Sequence, residues 1–260
     1  MLLKKGSKGE AVKQLQKILG CRPDGDFGPT TETKVKEWQR AHGLVVDGIV
    51  GDKTWAAMME SSRLDDHVVG PGVVYNPIDR CLTKKANRKI EYLVIHFTAG
   101  ASSAGDSETK ARNVFIARKN ASADFTVDDD TMLQVNPDPK NYYTWAVGDG
   151  KGKYGVQNNN SVSIEICSNL TKGTTAKVPN HEGWYFTDAA INNAVELSKM
   201  IMKAYGIKAD KVVRHYDASG KLCPGIIGWN QGTIYDSKTG KPTKEKSTEE
   251  KWIEFKKRLQ

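Results

Sequence analysis

The fold of the larger part of this chain is decided by one apolar stretch, Ile90-Glu91-Tyr92-Leu93-Val94-Ile95-His96-Phe97. A short run of this kind, rich in β-branched and aromatic residues, is typical of a strand buried in a sheet. A second stretch, Ser161 to Cys167, alternates polar and apolar residues and predicts a strand with one face in the core. Thr187 to Tyr205 has apolar residues at helical spacing, followed by Gly206 as a stop signal. Strands that alternate with helices predict an α/β domain.

The first sixty residues carry an imperfect repeat, in which Asp24-Gly25-Asp26-Phe27-Gly28 is echoed by Asp47-Gly48-Ile49-Val50-Gly51. Glycine supplies backbone conformations that other residues avoid, and aspartate closes a turn through its side chain, so each copy predicts a turn that begins a helix. Ser7 to Glu10 matches a capping box and precedes an apolar stripe that ends at Gly20, which predicts a further helix. The sequence therefore predicts a small all-α domain of three helices in residues 1–62.

A linker is predicted between this part and the rest of the chain. Residues 63–74 lose the helical periodicity and contain Gly70-Pro71-Gly72. Residues 75–260 then form the larger domain. Near its end, the lysine-rich segment 230–248 suggests no role, whereas Glu249 to Leu259 predicts a helix that returns to the core.

Net charge and hydropathy limit the classes of binding partner but do not identify a single partner. The chain has 260 residues and a formal net charge of +8, which attracts nucleic acid, acidic lipid and acidic cell-wall polymers equally. Because no zinc-finger spacing or RNP-like aromatic motif occurs, no nucleic-acid partner is expected. No apolar run reaches the roughly 18 residues of a membrane span, so stable membrane insertion is not expected. Met1 to Gly6 turns polar at once, which favours synthesis in the cytoplasm without a signal peptide.

The four cysteines, Cys21, Cys81, Cys167 and Cys223, are far apart and show no C-x-x-C spacing. This distribution argues against a disulfide framework. We expect buried free thiols at the first three positions, and Cys223 is a candidate for chemistry.

Three side chains are candidate zinc ligands. His96 ends the apolar stretch, His215 ends a second predicted strand that begins at Lys211, and Cys223 follows eight residues later. A catalytic zinc needs three protein ligands and one open position, and imidazole nitrogens with a thiolate are suitable donors. On spacing alone, a single histidine near an apolar strand is more often a hydrogen-bonded structural residue than a ligand.

The sequence motifs around these residues are more specific than the spacing of the residues. Val94 to Gly100 and Arg214 to Gly225 resemble the two metal-binding motifs of the type 2 N-acetylmuramoyl-L-alanine amidase family, which includes phage lysins and peptidoglycan recognition proteins. The resemblance covers about residues 75–229. It implies an α/β domain with a central mixed sheet flanked by helices.

The resemblance also implies a role for each residue of the site. Carried over by motif, one Zn²⁺ is held by His96, His215 and Cys223. Glu165 matches the strand glutamate of the family and would act as the general base. Lys221 matches a lysine that stabilises the charge on the carbonyl oxygen. An exposed strand carboxylate and a surface lysine are the plain alternatives for these two.

The sequence departs from the family pattern at two places. Phe97 stands where many relatives have a second histidine that binds no metal, so little changes. Some relatives have tyrosine and histidine on the strand that here reads Ala123-Asp124-Phe125. A tyrosine-assisted mechanism is therefore not expected, and more of the catalysis depends on Glu165. Asp124 either contacts substrate or begins a turn. His181 lies in a polar loop and is expected to form a cleft wall rather than to bind metal.

Residues 1–60 are similar to the three-helix peptidoglycan-binding domain of wall hydrolases, with both repeat turns recognisable. Trp38 and Trp55 are individually expected to be core residues. The combination implies that the front domain holds the catalytic domain beside an insoluble polymer.

These resemblances imply a monomeric, zinc-dependent amidase that acts on bacterial peptidoglycan and cleaves between N-acetylmuramic acid and L-alanine. A phage or prophage endolysin, released to the wall after synthesis, and a bacterial autolysin both fit. A recognition protein that binds wall fragments without cutting them is the alternative from another class, although relatives of that class lack the cysteine ligand. A zinc endopeptidase is disfavoured because no H-E-x-x-H motif occurs.

Overall fold

A computed structural model describes residues 2–64, 69–98, 112–113, 115–148 and 155–260. It divides the chain into two compact units, Met1–Gly72 and Val73–Gln260. The structure shows four free thiols, with Cys81, Cys167 and Cys223 buried and Cys21 partly exposed. Among the described residues, no helix combines the length and the apolar character that crossing a bilayer requires.

The first unit is built from three α-helices, as predicted: α1 Glu10–Ile18, α2 Pro29–Ala41 and α3 Asp52–Leu64. Pro29 occupies the start of α2, where the N–H that proline lacks would have no helical partner. Trp38 and Trp55 pack at the edge of the core as partly buried side chains. The buried core residues are Leu3, Val12, Leu15, Phe27, Val35, Val50 and Met58.

The predicted capping box at the start of α1 is wrong. The helix begins at Glu10, but Ser7 Oγ accepts a hydrogen bond from the N–H of Lys4, 3.0 Å away. Because this serine closes the preceding turn, it does not cap the helix.

The two repeat turns are closed in the same way, each by a buried glutamine. In each copy the glutamine Nε2 donates to an aspartate carboxylate, a backbone carbonyl and a threonine hydroxyl, and its Oε1 accepts from a glycine N–H. The two sets are Gln16 with Asp24, Asp26, Thr31 and Gly25, and Gln39 with Asp47, Ile49, Thr54 and Gly48. The sequence repeat is therefore also a repeat of hydrogen bonds.

Gln39→Leu is expected to lower the local stability of the first unit by about 1–3 kcal/mol, because it leaves the buried N–H of Gly48 without an acceptor. Native-state hydrogen exchange of the amides in α2 and α3 measures this change. Gln14→Leu, at an exposed position of α1, is the matched control and should leave exchange unchanged. Equal exchange in both variants would contradict the role given to Gln39.

The second unit contains twelve strands and three α-helices whose full length lies within the described residues, and residues 112–113 and 115–116 are helical as well. The strands are β1 Val73–Tyr75, β2 Leu82–Lys84, β3 Tyr92–Phe97, β4 Phe125–Val127, β5 Met132–Gln134, β6 Tyr142–Thr144, β7 Ser161–Ile166, β8 Asn169–Leu170, β9 Trp184–Tyr185, β10 Val212–Arg214, β11 Thr233–Tyr235 and β12 Pro242–Lys246. The helices are α4 Asp188–Tyr205, α5 His215–Ser219 and α6 Glu250–Lys257.

Six of these strands form the central sheet, in the order β1-β5-β4-β7-β3-β10. Neighbours pair in parallel, except β4 and β5, which run antiparallel. The predicted mixed sheet is therefore confirmed. Its middle strands β3 and β7 are buried along almost their whole length, which explains the apolar stretch at residues 90–97.

Helix α4 has the predicted caps. Thr187 Oγ1 accepts from the N–H of Ala190, and Gly206 ends the helix with a positive φ of 68°. The predicted C-terminal helix is also confirmed as α6, with Trp252 and Phe255 buried.

In the second unit, one local prediction differs from the structure, and one segment without a prediction has a defined structure. His215 is the first residue of α5 and not the last residue of a strand, because β10 ends at Arg214. The segment 230–248, for which the sequence suggested no role, contains an antiparallel hairpin of β11 and β12.

Candidate metal centre

A row of polar side chains crosses the middle of the central sheet. The parallel register places His96 of β3 beside Glu165 of β7, and Glu165 beside Thr126 of β4. His96 Nδ1 lies 3.9 Å from Glu165 Oε1. All three side chains are buried, with exposed fractions of 1%, 6% and 0%. The adjacent parallel strands therefore bring a predicted ligand and the predicted base together.

His215 is placed by the turn from β10 into α5. The preceding Arg214 binds the Asp217 carboxylate through Nε and Nη2, and its Nη1 donates to the Trp229 carbonyl. The Nε2 atom of His215 lies 3.2 Å from the carbonyl oxygen of Val147. A neutral imidazole that donates from Nε2 to a carbonyl presents the lone pair of Nδ1, which is the usual arrangement for a metal-binding histidine.

Cys223 completes the cluster from the loop after α5. Its carbonyl accepts from the N–H of Tyr216 at 2.9 Å, which turns the loop back toward the start of α5. Its Sγ lies 3.7 Å from His96 Nδ1. One ligand atom from each of His96, His215 and Cys223 lies within 4.8 Å of the other two. The structure thus brings together the three residues predicted as ligands.

The cluster fits a zinc ion. With Zn–S near 2.3 Å and Zn–N near 2.0–2.1 Å, tetrahedral sulfur and nitrogen ligands lie roughly 3.6 Å apart, close to the observed Sγ–Nδ1 distance. Glu165 Oε2, on the carboxylate beside His96 Nδ1, is buried and has no hydrogen-bond partner among the described residues. Buried polar groups in native proteins are normally satisfied, so this atom indicates a site that binds a further group.

Burial controls the protonation of the cluster. Burial lowers the pKa of His96 well below its usual value, with help from His215, so the imidazole is neutral at neutral pH. Burial, followed by the nearby charge of Glu165, raises the pKa of the Cys223 thiol. Burial also raises the pKa of Glu165 to about 8. Thiolate formation at Cys223 therefore depends on a bound cation, as is usual for metal sites.

Lys221 is exposed but electrostatically close to the cluster. Its positive charge has a downward effect on the pKa of His96, Glu165 and Cys223. At His96 this effect adds to that of burial, and at Glu165 and Cys223 it opposes the larger effect of burial. A cation felt by all three groups is suited to stabilising negative charge that develops near the metal.

The structure adds neighbours that the sequence analysis missed. The charge of Arg118 lowers the pKa of Glu165, opposing the larger effect of burial. Thr126 Oγ1 is buried beside Glu165 and has no hydrogen-bond partner among the described residues. The alternation of β4 could have indicated Thr126, but only with the strand pairing known. No sequence pattern indicated that Arg118 lies near the site.

Asp124 serves the fold. It is fully buried, and its Oδ2 accepts from Ser163 N and Oγ and from Thr144 Oγ1 at 2.8–3.0 Å. Its Oδ1 accepts from Asn136 Nδ2 and lies 3.7 Å from Nη2 of the buried Arg88. Of the two alternatives left open by the sequence, substrate contact is the one that this burial disfavours.

Asp124→Ala is expected to lower the free energy of unfolding by about 3–5 kcal/mol, because it leaves the Arg88 charge buried without its carboxylate. Urea denaturation of metal-free protein measures the loss. Asp130→Ala, at an exposed position after β4, is the control and should change stability by less than about 0.5 kcal/mol. A similarly small loss for Asp124→Ala would show that the network does not support the fold.

Both ring nitrogens of His181 have hydrogen-bond partners within the fold. It is fully buried, its Nε2 lies 3.1 Å from the Ala176 carbonyl, and its Nδ1 accepts from Gly183 N. It packs near Trp184, whose ring contacts Phe97 edge to face at 5.9 Å. His181 therefore lies in the packed interior and outside the cluster of His96, His215 and Cys223.

Comparison with known families accounts for this arrangement. The sequence model of the N-acetylmuramoyl-L-alanine amidase family matches residues 86–226, more than half of the chain. The chain belongs to that family. The amidase match includes all three residues of the metal cluster. A separate sequence model, that of a peptidoglycan binding domain, matches residues 8–58.

Two relatives of this family member are N-acetylmuramoyl-L-alanine amidases of a Bacillus strain. It is 32% identical over 158 residues to N-acetylmuramoyl-L-alanine amidase CwlH of Bacillus subtilis (strain 168), covering 60% of this chain and 56% of that protein. It is 32% identical over 139 residues to the amidase CwlA of the same strain, covering 54% of this chain and 44% of that protein. The chain thus spans about half the length of these curated relatives. The solved catalytic domain of XlyA is 25% identical, with 72% of this chain and 99% of that chain covered and a TM-score of 0.47.

Proposed function

We propose that this protein is a zinc-dependent amidase that hydrolyses the amide between the lactyl group of N-acetylmuramic acid and L-alanine of the peptidoglycan stem peptide. The observation that carries the proposal is the buried cluster of His96, His215 and Cys223, with ligand atoms within 4.8 Å, in a chain of the N-acetylmuramoyl-L-alanine amidase family. This donor set suits one catalytic zinc.

The three buried ligands would hold the metal and leave one coordination position open. When bound, the ion would supply Lewis-acid polarisation of the scissile carbonyl and activation of water. Burial holds His96 as a neutral donor, and the contact of His215 Nε2 with the Val147 carbonyl orients that ring so that Nδ1 would face the metal. Cys223 supplies the anionic donor.

Glu165 would accept the proton of the attacking water and return it to the leaving amide nitrogen. Burial raises the pKa of this carboxyl in the metal-free protein, and the nearby positive charges of Arg118 and Lys221, joined by that of a bound ion, would lower it toward the range in which a carboxylate accepts a proton. Its Oε2 is available among the described residues, since no hydrogen bond occupies it. Lys221 would stabilise the developing oxyanion, and Arg118 adds a second positive charge near Glu165.

The first unit would bind peptidoglycan and so raise the local concentration of the catalytic unit at the wall. The protein would act there as a monomer. The same hydrolysis serves a phage or prophage endolysin and a bacterial autolysin, and the proposal includes both settings.

The test is incubation of purified protein with wall material, followed by mass spectrometry of the soluble products. Free stem peptides with L-alanine at the amino end are expected, and prior chelation should remove them. Release of reducing sugar ends in place of peptides would refute the amidase assignment. Wall binding without any product would favour a recognition protein.

A further inference from the structure

The β11–β12 hairpin lies beyond residue 226, where the family match ends, yet it is bonded to a loop close to the metal cluster. The N–H groups of Thr175 and Ala176 both donate to the carbonyl of Ser237, at 3.2 and 3.0 Å. Thr175 Oγ1 donates to the carbonyl of Lys238 at 2.6 Å. The hairpin therefore fixes one end of the loop formed by residues 174–181.

Asn180 joins the other end of this loop to two further segments. Its Nδ2 donates to the carbonyls of Gly232 and Thr233 at 3.0 and 2.7 Å, and its carbonyl accepts from Tyr235 N at 3.0 Å. Its own N–H donates to the carbonyl of Gly225. Asn180 is fully buried and has a positive φ of 62°, a conformation that asparagine tolerates better than most residues.

Asn230 makes a parallel connection. Its Nδ2 donates to the Pro224 carbonyl at 2.7 Å, and its Oδ1 accepts from Gly232 N at 2.8 Å. This side chain is also fully buried. The two asparagines thus bond the base of the hairpin to the carbonyls of Pro224 and Gly225, the residues that directly follow Cys223.

Packing adds to these hydrogen bonds. A Cβ at Gly225 would collide with Pro179 and with the ring of Phe97, the residue after His96. A Cβ at Gly232 would collide with Leu222, the residue before Cys223. The segment that carries Cys223 is therefore enclosed between the 174–181 loop, the hairpin base and the end of β3.

We propose that Asn180 and Asn230 are positioning residues for the metal centre: through them the β11–β12 hairpin fixes the backbone around Cys223 and so aims its sulfur at His96. This inference rests on the proposed function, because it assigns the aimed sulfur to zinc. A thiolate on a loop needs such support, since a ligand displaced by a fraction of an ångström weakens the site.

The test compares zinc affinity, measured by chelator competition, in wild-type protein, Asn180→Gly and Asn230→Ala. Asn180→Gly retains the positive φ, the N–H donor to Gly225 and the backbone bond from Tyr235, and it removes the side-chain bonds to the carbonyls of Gly232 and Thr233. Each variant is expected to bind zinc about 10- to 100-fold more weakly, the usual effect of removing a group that supports a ligand. Asn192→Ala, which removes an exposed contact to Arg258, is the control and should bind zinc like wild-type protein.

Two readouts separate positioning from a general loss of stability. The Co²⁺-substituted variants should show an altered sulfur-to-metal charge-transfer band, and kcat should fall while KM stays nearly constant. A lower unfolding midpoint with wild-type zinc affinity and a wild-type Co²⁺ spectrum would overturn the proposal. If Asn230→Ala does not fold, Asn230→Ser, which keeps a hydroxyl donor, is compared in the same way.

The outcomes also separate this inference from the proposed function. Wild-type protein that binds one zinc ion but releases no peptide would refute the amidase activity, and the affinities would still decide the positioning role. Wild-type protein that binds no zinc would overturn both.

Discussion

Cys223→Ser is expected to remove zinc from the protein and to lower peptide release by more than about 100-fold. Loss of a group that only supports a ligand already weakens zinc sites by about 10- to 100-fold, and Cys223 supplies the sulfur itself, 3.7 Å from His96 Nδ1. A serine hydroxyl is a poor replacement, because it does not ionise near neutral pH as a metal-bound thiol does. Zinc content after dialysis and the rate of peptide release are the measurements.

Cys167→Ser is the matched control for this substitution. It places the same hydroxyl at another buried thiol, outside the three-residue cluster. It should retain one zinc ion and release peptide, even if burial of the hydroxyl lowers the unfolding midpoint. Wall pelleting should be equal in both variants, because the first unit is unchanged. Full turnover by Cys223→Ser would remove this residue from the ligand set.

The sequence predicts the elements that carry the site better than it predicts their pairing. The apolar stretch at residues 90–97 and the alternation at 161–167 identify two strands, and the structure has both as β3 and β7. Neither pattern states that His96 lies beside Glu165, because strand register is set by contacts between distant residues. Thr126 was missed for the same reason.

The hairpin shows where sequence patterns stop being informative. Every residue of β12 is exposed, so no apolar alternation marks it as a strand. The hairpin as a whole is held by hydrogen bonds to residues 175–180, more than fifty positions earlier in the chain. The failed capping box at Ser7 is the local counterpart, since a serine that matches a cap can bond to another nearby N–H instead.

Asp124 illustrates a further limit. A lone aspartate beside an apolar strand is equally compatible with a substrate contact and with a turn. The structure gives it four hydrogen-bond or ionic partner residues inside the fold, including Thr144 and Ser163 from two different strands. Burial, which the sequence does not state, decides between the alternatives.

Glu165→Gln is expected to lower kcat by about 10²- to 10⁴-fold while zinc content and KM stay close to those of wild-type protein. Glutamine keeps the size of the side chain beside His96 but cannot accept and return a proton. Glu165 lies outside the three-residue ligand set, so its loss should spare the metal. Steady-state kinetics on a soluble muramoyl-peptide and zinc analysis measure the two effects, and Glu196→Gln, on the exposed side of α4, is the control.

The same variant tests the protonation of the site in metal-free protein. Burial raises the pKa of Glu165 from its ordinary value of 4.5 to about 8, so the folded state holds this proton more tightly than the unfolded state. The resulting stability is fully present below about pH 4.5 and is lost as the pH rises toward 8. Urea denaturation should therefore show this loss in wild-type protein and a flatter profile in Glu165→Gln. A variant that keeps both wild-type turnover and the wild-type profile would mean that Glu165 is neither the base nor a buried proton carrier.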